Sequence, residues 1–126
     1  LKILYPNISL YLVESTHKKS LFLRTAIKKL DLQDSKVINS PLKSIDDSLA
    51  ESIDIIVSRA VKLKEDEYQK CSSLLKRGGF LLLYKAREFQ DDIDVFQRTG
   101  INASIKVIPK NHGFLGIRNF VVIEKQ

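Results

Sequence analysis

The chain has 126 residues, of which 44% are hydrophobic and 29% are charged, and it contains five glycines and three prolines. This composition excludes an intrinsically disordered, collagen-like or low-complexity chain, and the length is that of one domain. The 21 basic residues outnumber the 15 acidic ones and give a net charge of +6, which is compatible with a polyanionic partner such as a nucleic acid.

The cysteine count, the histidine spacing and the length of the apolar runs argue against disulfides, metal sites and membrane spans. The single cysteine, Cys71, excludes an intramolecular disulfide and a Cys-rich zinc site. His17 and His112 lack the spacing of a metal site, so we expect no metal. No apolar run reaches about 18 residues and no signal peptide is visible, so we expect no membrane span. Because the chain begins at Leu1 and contains no methionine, we interpret it as part of a longer protein.

The first third of the chain predicts a strand, a helix and a second strand. Residues 8–14 (ISLYLVE) are apolar and β-rich and follow the turn signal Pro6-Asn7, which indicates a strand. The next apolar positions have the i, i+3, i+4, i+7 spacing of one helix face: Leu23, Ala26, Ile27 and Leu30. Residues 37–39 are interpreted as a short strand, and residues 41–50 as a loop with a weak helix.

The middle of the chain predicts two buried strands around an amphipathic helix. Residues 53–58 (IDIIVS) form a nearly continuous apolar run, which is typical of a parallel strand covered on both faces. Residues 64–76 are an amphipathic helix that ends at Arg77-Gly78-Gly79, because basic residues and glycines favour a helix C-terminus. Residues 80–84 (FLLLY) are the second buried strand.

The last part of the chain predicts a helix followed by a β-hairpin. Residues 88–97 are a helix that stops before Gly100, and residues 101–108 and 119–124 are strands. The connection formed by residues 109–118 is too short for a crossover helix, so these two strands should pair antiparallel.

The element order β-α-β-(α)-β-α-β-α-β-β predicts an α/β sheet with helices on both faces and an antiparallel edge. Alternating units that end in a β-β hairpin are the arrangement of the class I S-adenosylmethionine-dependent methyltransferase fold. That fold is a Rossmann-like three-layer sandwich with the sheet order 3-2-1-4-5-7-6 and a C-terminal antiparallel hairpin. The strands of this chain would be the second to the seventh, with the first strand and its Gly-rich loop missing.

The missing strand would lie in the middle of the sheet, between residues 8–14 and 53–58. Each backbone group left unpaired there would cost about 1–3 kcal/mol. Several such groups together would rival the typical net stability of a domain, about 5–15 kcal/mol. We therefore expect that upstream residues or another chain fill the gap, and we interpret residues 1–126 as the C-terminal part of a single domain. One continuous sheet built from these residues alone would contradict this expectation.

Charged residues follow the predicted parallel strands at their C-terminal ends. Glu14, next to Ser15, is an acid one β-α unit into a Rossmann-like sheet and is able to accept two hydrogen bonds from a ribose diol. The alternative is a surface carboxylate that stabilises the next helix N-terminus. Arg59 ends the most apolar strand and can donate two hydrogen bonds to a carboxylate, a phosphate or a guanine. Its alternative is an arginine that extends from the strand end to solvent.

Lys85 follows the strand FLLLY, with Arg87 two residues later. Taken alone, Lys85 is better explained as a solvated loop charge. Parallel strands place their carboxyl ends at one edge of a sheet, so the three charged strand ends should lie near one another. That edge is where open α/β sheets bind their ligands.

Four segments together resemble the RsmG/GidB family, in order and over nearly the whole chain. They are residues 13–23 (VESTHKKSLFL), 57–60 (VSRA), 74–85 (LLKRGGFLLLYK) and 118–123 (RNFVVI). Members of that family are S-adenosylmethionine-dependent methyltransferases that modify N7 of a guanine in bacterial small-subunit (16S) ribosomal RNA. The resemblance therefore implies S-adenosylmethionine as cofactor, small-subunit ribosomal RNA as partner and the cytoplasm as location; we also expect a monomer.

The resemblance also implies roles for individual residues. Glu14, with Ser15 beside it, would bind the donor's ribose hydroxyls, and Leu42 and Lys43 would line the adenine pocket. Arg59 would be the catalytic residue, in the cleft shared by donor and substrate. The residues implied in RNA contact are Lys18, Lys19, Lys85, Arg87 and Arg118. The sequence departs from the family pattern where Lys43 replaces a usual acid, where Pro41 replaces a frequent Arg or Ala, and where Ala86 replaces a common Gly.

The absence of a base also fits the implied chemistry. Guanine N7 carries a lone pair and no proton, so in-line methyl transfer needs positioning rather than proton abstraction. The N/D-P-P-Y/F motif of amine methyltransferases is absent, and Arg59 stands at its place. His112 and Phe114, in the basic loop 110–118, would contact RNA by stacking.

Three other functions remain open from the sequence. One is a class I methyltransferase with a different substrate, and one is a non-catalytic RNA-binding or assembly module that has lost donor binding, for which Lys43 gives a reason. A dinucleotide-dependent oxidoreductase fits the closing antiparallel hairpin and the positive charge less well.

Overall fold

The computed structural model describes residues 2, 5–59, 62–85, 88–111, 113 and 117–126. The chain divides into two compact units, residues 1–45 and residues 46–126. Each unit contains its own β-sheet.

The first unit is a strand-helix-strand unit, as the sequence predicts. Strand β1 (Leu10–Glu14) and strand β2 (Ser35–Asn39) run parallel, and helix α1 (His17–Lys29) connects them and contacts both. The helix buries Ser20 completely, and the Ser20 hydroxyl donates to the His17 carbonyl at 2.8 Å. Leu30, the last predicted apolar position, follows the helix and is exposed.

The ambiguous segment after β2 forms two single-turn 3₁₀-helices, Leu42–Ser44 and Asp47–Leu49. The carboxylate of Asp46 caps the second one by accepting the Ser48 N–H at 2.9 Å. The prediction of a loop with a weak helix is therefore confirmed, and the helical turns are of the tight 3₁₀ type, which is used in short pieces.

The second unit consists of four strands and two helices. They are β3 (Ile53–Arg59), α2 (Glu65–Leu74), β4 (Leu75–Lys85), α3 (Gln90–Arg98), β5 (Ala103–Asn111) and β6 (Ile117–Lys125). The strand order is β3-β4-β6-β5, with β3 and β4 parallel and the other two pairs antiparallel. This confirms the predicted C-terminal hairpin and matches the 4-5-7-6 half of the class I methyltransferase sheet.

One face of the second sheet is the core of its unit. The side chains that alternate into it are almost fully buried: Leu81, Leu83, Val121 and Ile123. Helices α2 and α3 add Tyr68 and Phe96, whose rings meet edge to face with centroids 5.5 Å apart. The same packing buries the thiol of Cys71 and raises its pKa to about 12, since burial disfavours the thiolate.

The opposite face of this sheet is more exposed than the sequence predicts. Ile55 and Val57 are 57% and 50% exposed, although residues 53–58 were expected to be covered on both faces. The reason is that the buried side chains of α2 and α3 pack together with the other face of the sheet. The apolar run correctly indicates a strand, but not the burial of both of its faces.

Two glycines lie in the irregular first half of β4, which follows α2 directly. The helix ends at Leu74, two residues before the predicted end, and the pairing with β3 then shifts: Ile53 lies opposite Leu75, but Ile55 lies opposite Phe80. Gly78 has φ +77°, a conformation that side chains disfavour. A Cβ on Gly79 would lie 2.8 Å from the Lys76 carbonyl oxygen. Both glycines lie inside β4 rather than at the end of α2, so the prediction that the helix ends at Arg77-Gly78-Gly79 is wrong, and each glycine is required there for a different steric reason.

The described strands form two sheets rather than one continuous sheet. Among the described residues, β1 is hydrogen-bonded as a strand to β2 alone, and β3 to β4 alone. A continuous sheet would have contradicted the expected intervening strand. That strand, and the single domain it would complete, stay predictions.

In the described part of the chain, no helix is long and apolar enough to cross a membrane. Nor do the described residues include three or more His, Cys, Asp or Glu side chains grouped to hold a metal ion.

The substitution Gly79→Ala tests the close backbone approach in the first half of β4. We expect it to lower the free energy of unfolding by about 1–3 kcal/mol, because the new methyl group would clash with two backbone carbonyl oxygens that cannot rotate away. Urea denaturation measures the change. Gly78→Asn is the matched control, because asparagine tolerates positive φ and nothing lies within 4 Å of that position. Equal stabilities of the Gly79→Ala variant and the wild type would contradict the steric account.

Candidate functional site at the strand ends

Glu14 is the last residue of β1, at the C-terminal end of a parallel strand. Its carboxylate oxygen Oε1 accepts the backbone N–H of Thr16 at 3.0 Å. This hydrogen bond has the largest effect and lowers the pKa of Glu14; desolvation opposes it, and a side-chain hydrogen bond from Thr16 and the positive charge of Lys19 add smaller lowering effects. The carboxylate is therefore ionised at neutral pH, in the state that accepts hydrogen bonds.

Asn39 supports the backbone around Glu14, and the sequence reasoning missed it. It ends β2 directly opposite Glu14. In the amide orientation that satisfies its surroundings, its nitrogen donates to the carbonyl oxygens of Glu14 and Ser15 at 3.1 and 3.2 Å, and its oxygen accepts from His17 Nδ1 at 3.3 Å. The signal was available, since Asn39 is a polar residue at the end of the next parallel strand.

The other predicted site residues of the first unit follow β1 or β2 along the chain. Lys18 and Lys19 are exposed in the first turn of α1, directly after the β1 end. Ser15 is exposed, and its carbonyl takes part in the Asn39 contact. Leu42 is half-buried and Lys43 is exposed, both in the first 3₁₀-helix.

Arg59 is the last residue of β3 and is exposed. Its guanidinium carbon Cζ lies 5.3 Å from the centroid of the Tyr84 ring, which is within the range of a cation–π contact. Tyr84 in turn meets Phe120 edge to face, with centroids 5.0 Å apart. The guanidinium of Arg59 therefore lies over one ring of an aromatic pair. Its predicted neighbour Ala60 lies outside the described residues.

Lys85 is not the solvated loop charge that the sequence left open. Its side chain is 8% exposed, and its ammonium nitrogen lies 3.1 Å from Oδ1 of Asp92, whose side chain is 6% exposed. A buried ammonium needs such a partner because an unpaired charge in the interior is costly. Asp92 lies in the first turn of α3, where an acid is common, so its presence there did not indicate this pair. Arg87 lies outside the described residues.

Arg118 is the second residue of β6 and lies directly opposite Lys110 of β5. Two cationic positions therefore face each other at one end of the hairpin. His112 and Phe114, predicted to contact RNA from the connecting loop, lie outside the described residues.

Relatives of known identity match the chain along most of its length. A family model described as rRNA small subunit methyltransferase G matches residues 1–120. The ribosomal RNA small subunit methyltransferase G of Chloroflexus aggregans is 37% identical over 100 residues, which are 78% of this chain and 42% of that protein. The chain spans about half the length of the curated relatives it matches.

Solved structures match the fold at low sequence identity. An rRNA methylase from Streptococcus thermophilus has a TM-score of 0.68 at 13% identity, covering 91% of this chain and 72% of that one. The N-methyltransferase NodS from Bradyrhizobium japonicum, solved with S-adenosyl-L-homocysteine, has the same TM-score at 11% identity, covering 91% and 65%. These likenesses confirm the class I methyltransferase fold and carry no assignment of substrate.

The substitution Asp92→Ala tests the structural role of the buried pair. We expect a loss of about 3–5 kcal/mol in the free energy of unfolding, because Lys85 would keep a buried charge without its carboxylate. Glu65→Ala is the matched control: Glu65 of α2 also pairs with a residue of α3, Arg98, at 3.1 Å, but both side chains are exposed. It should cost less than about 1 kcal/mol. If urea denaturation gave the same decrease in the free energy of unfolding for both variants, burial of the Lys85–Asp92 pair would not make it more important for stability than an exposed pair.

Proposed function

The chain belongs to the rRNA small subunit methyltransferase G family, and we propose on that basis that the protein methylates N7 of a guanine in bacterial small-subunit (16S) ribosomal RNA. The family match over residues 1–120 is the observation that carries this proposal. The donor would be S-adenosylmethionine, and the protein would act in the cytoplasm as a monomer. When bound, S-adenosylmethionine would supply the methyl group of its sulfonium.

The residues at the end of β1 fit the ribose of such a donor. Glu14 is ionised, and a carboxylate has lone pairs for several donors, so the Thr16 hydrogen bond leaves capacity for the two ribose hydroxyls. Asn39 holds the carbonyls of Glu14 and Ser15, which fixes the direction of the strand end. Leu42 offers a partly exposed apolar surface for an adenine ring. Lys43 provides no carboxylate there, so a backbone group would have to recognise the adenine edge.

Arg59 would orient the guanine rather than move a proton. Guanine N7 already carries the attacking lone pair, so the site needs no general base. The guanidinium is permanently charged and presents its N–H donors in a planar fork that suits the O6 edge of guanine or a neighbouring phosphate. Holding the nucleophile in line supplies the larger part of the rate enhancement in a reaction of this type.

Basic side chains would bind the RNA backbone. Helix α1 has five basic and no acidic residues among its thirteen, and Lys18 and Lys19 open it. Arg118, opposite Lys110, adds a second cationic position at the hairpin end. Arg87 and Lys85 complete the predicted set. The burial of Lys85 against Asp92 favours a structural contribution from this residue over direct phosphate contact.

A non-catalytic RNA-binding module on the same fold is the second candidate, favoured by the exposed Lys43 at the adenine position. The two candidates differ in donor binding. Calorimetric titration of the full-length protein with S-adenosylmethionine separates them, because the module would release no binding heat.

The substitution Glu14→Gln tests the ribose contact. We expect the affinity of the full-length protein for S-adenosylmethionine to fall roughly 10- to 100-fold, since hydrogen bonds to a charged acceptor would be weakened. Isothermal titration calorimetry measures the change. Asp46→Asn is the matched control, because Asp46 also accepts a backbone N–H two residues on but has no assigned ligand. Unchanged affinity in the Glu14→Gln variant would remove Glu14 from the donor site.

The activity itself is tested by incubating the full-length protein with small-subunit ribosomal RNA and methyl-labelled S-adenosylmethionine. Digestion of the RNA to nucleosides should give 7-methylguanosine, and a different methylated nucleoside would contradict the proposed target atom. Arg59→Ala should lower the rate roughly 100-fold, as loss of a well-placed charged donor does, with an unchanged thermal transition. Arg98→Ala is the control, because Arg98 is exposed and paired with Glu65. Wild-type activity of the Arg59→Ala variant would exclude Arg59 from the mechanism.

A further inference from the structure

We propose that Tyr84 is a positioning residue for Arg59, an inference that rests on the function proposed above. The two residues occupy paired positions at the end of the parallel strands β3 and β4. The next strand continues the row, because Phe120 of β6 lies opposite Tyr84. One cross-strand row therefore runs from an exposed cation through a half-buried phenol ring to a second aromatic ring.

The contact gives Arg59 a fixed support at a place where it would otherwise be mobile. An exposed arginine at a strand end has many rotamers, and ordering it at the moment of substrate binding costs entropy. With Cζ 5.3 Å from the ring centroid, the guanidinium is attracted to the face of Tyr84. Such a contact uses the face of the cation, whereas its N–H donors lie in its plane and remain directed outward to a ligand.

The ring of Tyr84 is itself held from two sides. Phe120 meets it edge to face at 5.0 Å and an interplanar angle of 68°, a preferred geometry for aromatic pairs. The neighbouring residues Leu83 and Lys85 point to the other face of the sheet, where both are buried, and Lys85 is paired with Asp92. The backbone of β4 therefore cannot rotate locally without breaking core packing, so the support under Arg59 is rigid.

The experiment compares three variants of the full-length enzyme in single-turnover methyl transfer. Tyr84→Leu should lower kcat/KM roughly three- to tenfold, in keeping with the strength of a cation–π contact at an exposed site. Tyr84→Phe keeps the ring and should restore the rate to within about twofold of wild type. Phe80→Leu is the matched control: Phe80 lies on the same face of β4, four residues away in the middle of the strand, and its replacement should leave the rate unchanged.

A second comparison asks whether Tyr84 acts through Arg59. In an Arg59→Ala background, Tyr84→Leu should have no further effect on kcat/KM, because the group that it positions is already absent. A purely structural role would lower the rate by the same factor in both backgrounds. Full activity of the Tyr84→Leu variant, or additive effects, would overturn the inference.

An NMR readout keeps the inference separate from the proposed function. The Nε–Hε resonance of Arg59 should shift when Tyr84 becomes Leu, since the ring current is lost, and should not shift in Phe80→Leu. A missing shift overturns the positioning role even if the wild-type enzyme methylates RNA. Conversely, an inactive wild-type protein with the expected shift would reject the proposed function and leave the contact established.

Discussion

The buried ion pair between Lys85 and Asp92 is the constraint on which the second unit depends. A lysine ammonium and an aspartate, each less than a tenth exposed, are tolerated inside a protein only when they neutralise each other at close range. Because Lys85 ends β4 and Asp92 lies in the first turn of α3, the pair holds the start of this helix against the edge of the sheet. Tyr84 then faces the opposite side of that edge, where it meets Arg59.

In the first unit, hydrogen bonds rather than a buried ion pair position the charged residue at the strand end. Backbone hydrogen bonds of parallel strands set Glu14 beside Asn39, and side-chain bonds from Asn39 and to Glu14 then fix the local chain direction. All of these contacts are short-range and involve residues near one another in the parallel pair. The chemistry of the carboxylate is thus determined by its strand end, through the Thr16 N–H that lowers its pKa.

Sequence patterns predicted the order and type of every described strand and α-helix, because hydrophobic periodicity and glycine positions report directly on local backbone geometry. They also placed Glu14 and Arg59 at strand ends. They could not predict the Lys85–Asp92 pair or the Arg59–Tyr84 contact, because the type of one residue does not indicate which other residue it contacts in the folded chain. The prediction that both faces of β3 are covered was wrong for a related reason. An apolar run shows that the residues are hydrophobic, but it does not show which neighbours cover them.

The buried thiol of Cys71 is able to report local opening of the second unit. Its pKa of about 12 means that almost no thiolate exists in the native state at neutral pH, and its side chain is buried in the core. A thiol reagent can then react only after α2 has separated from the sheet. The rate of labelling at low reagent concentration would therefore measure the free energy of that opening in the native protein, with no introduced probe.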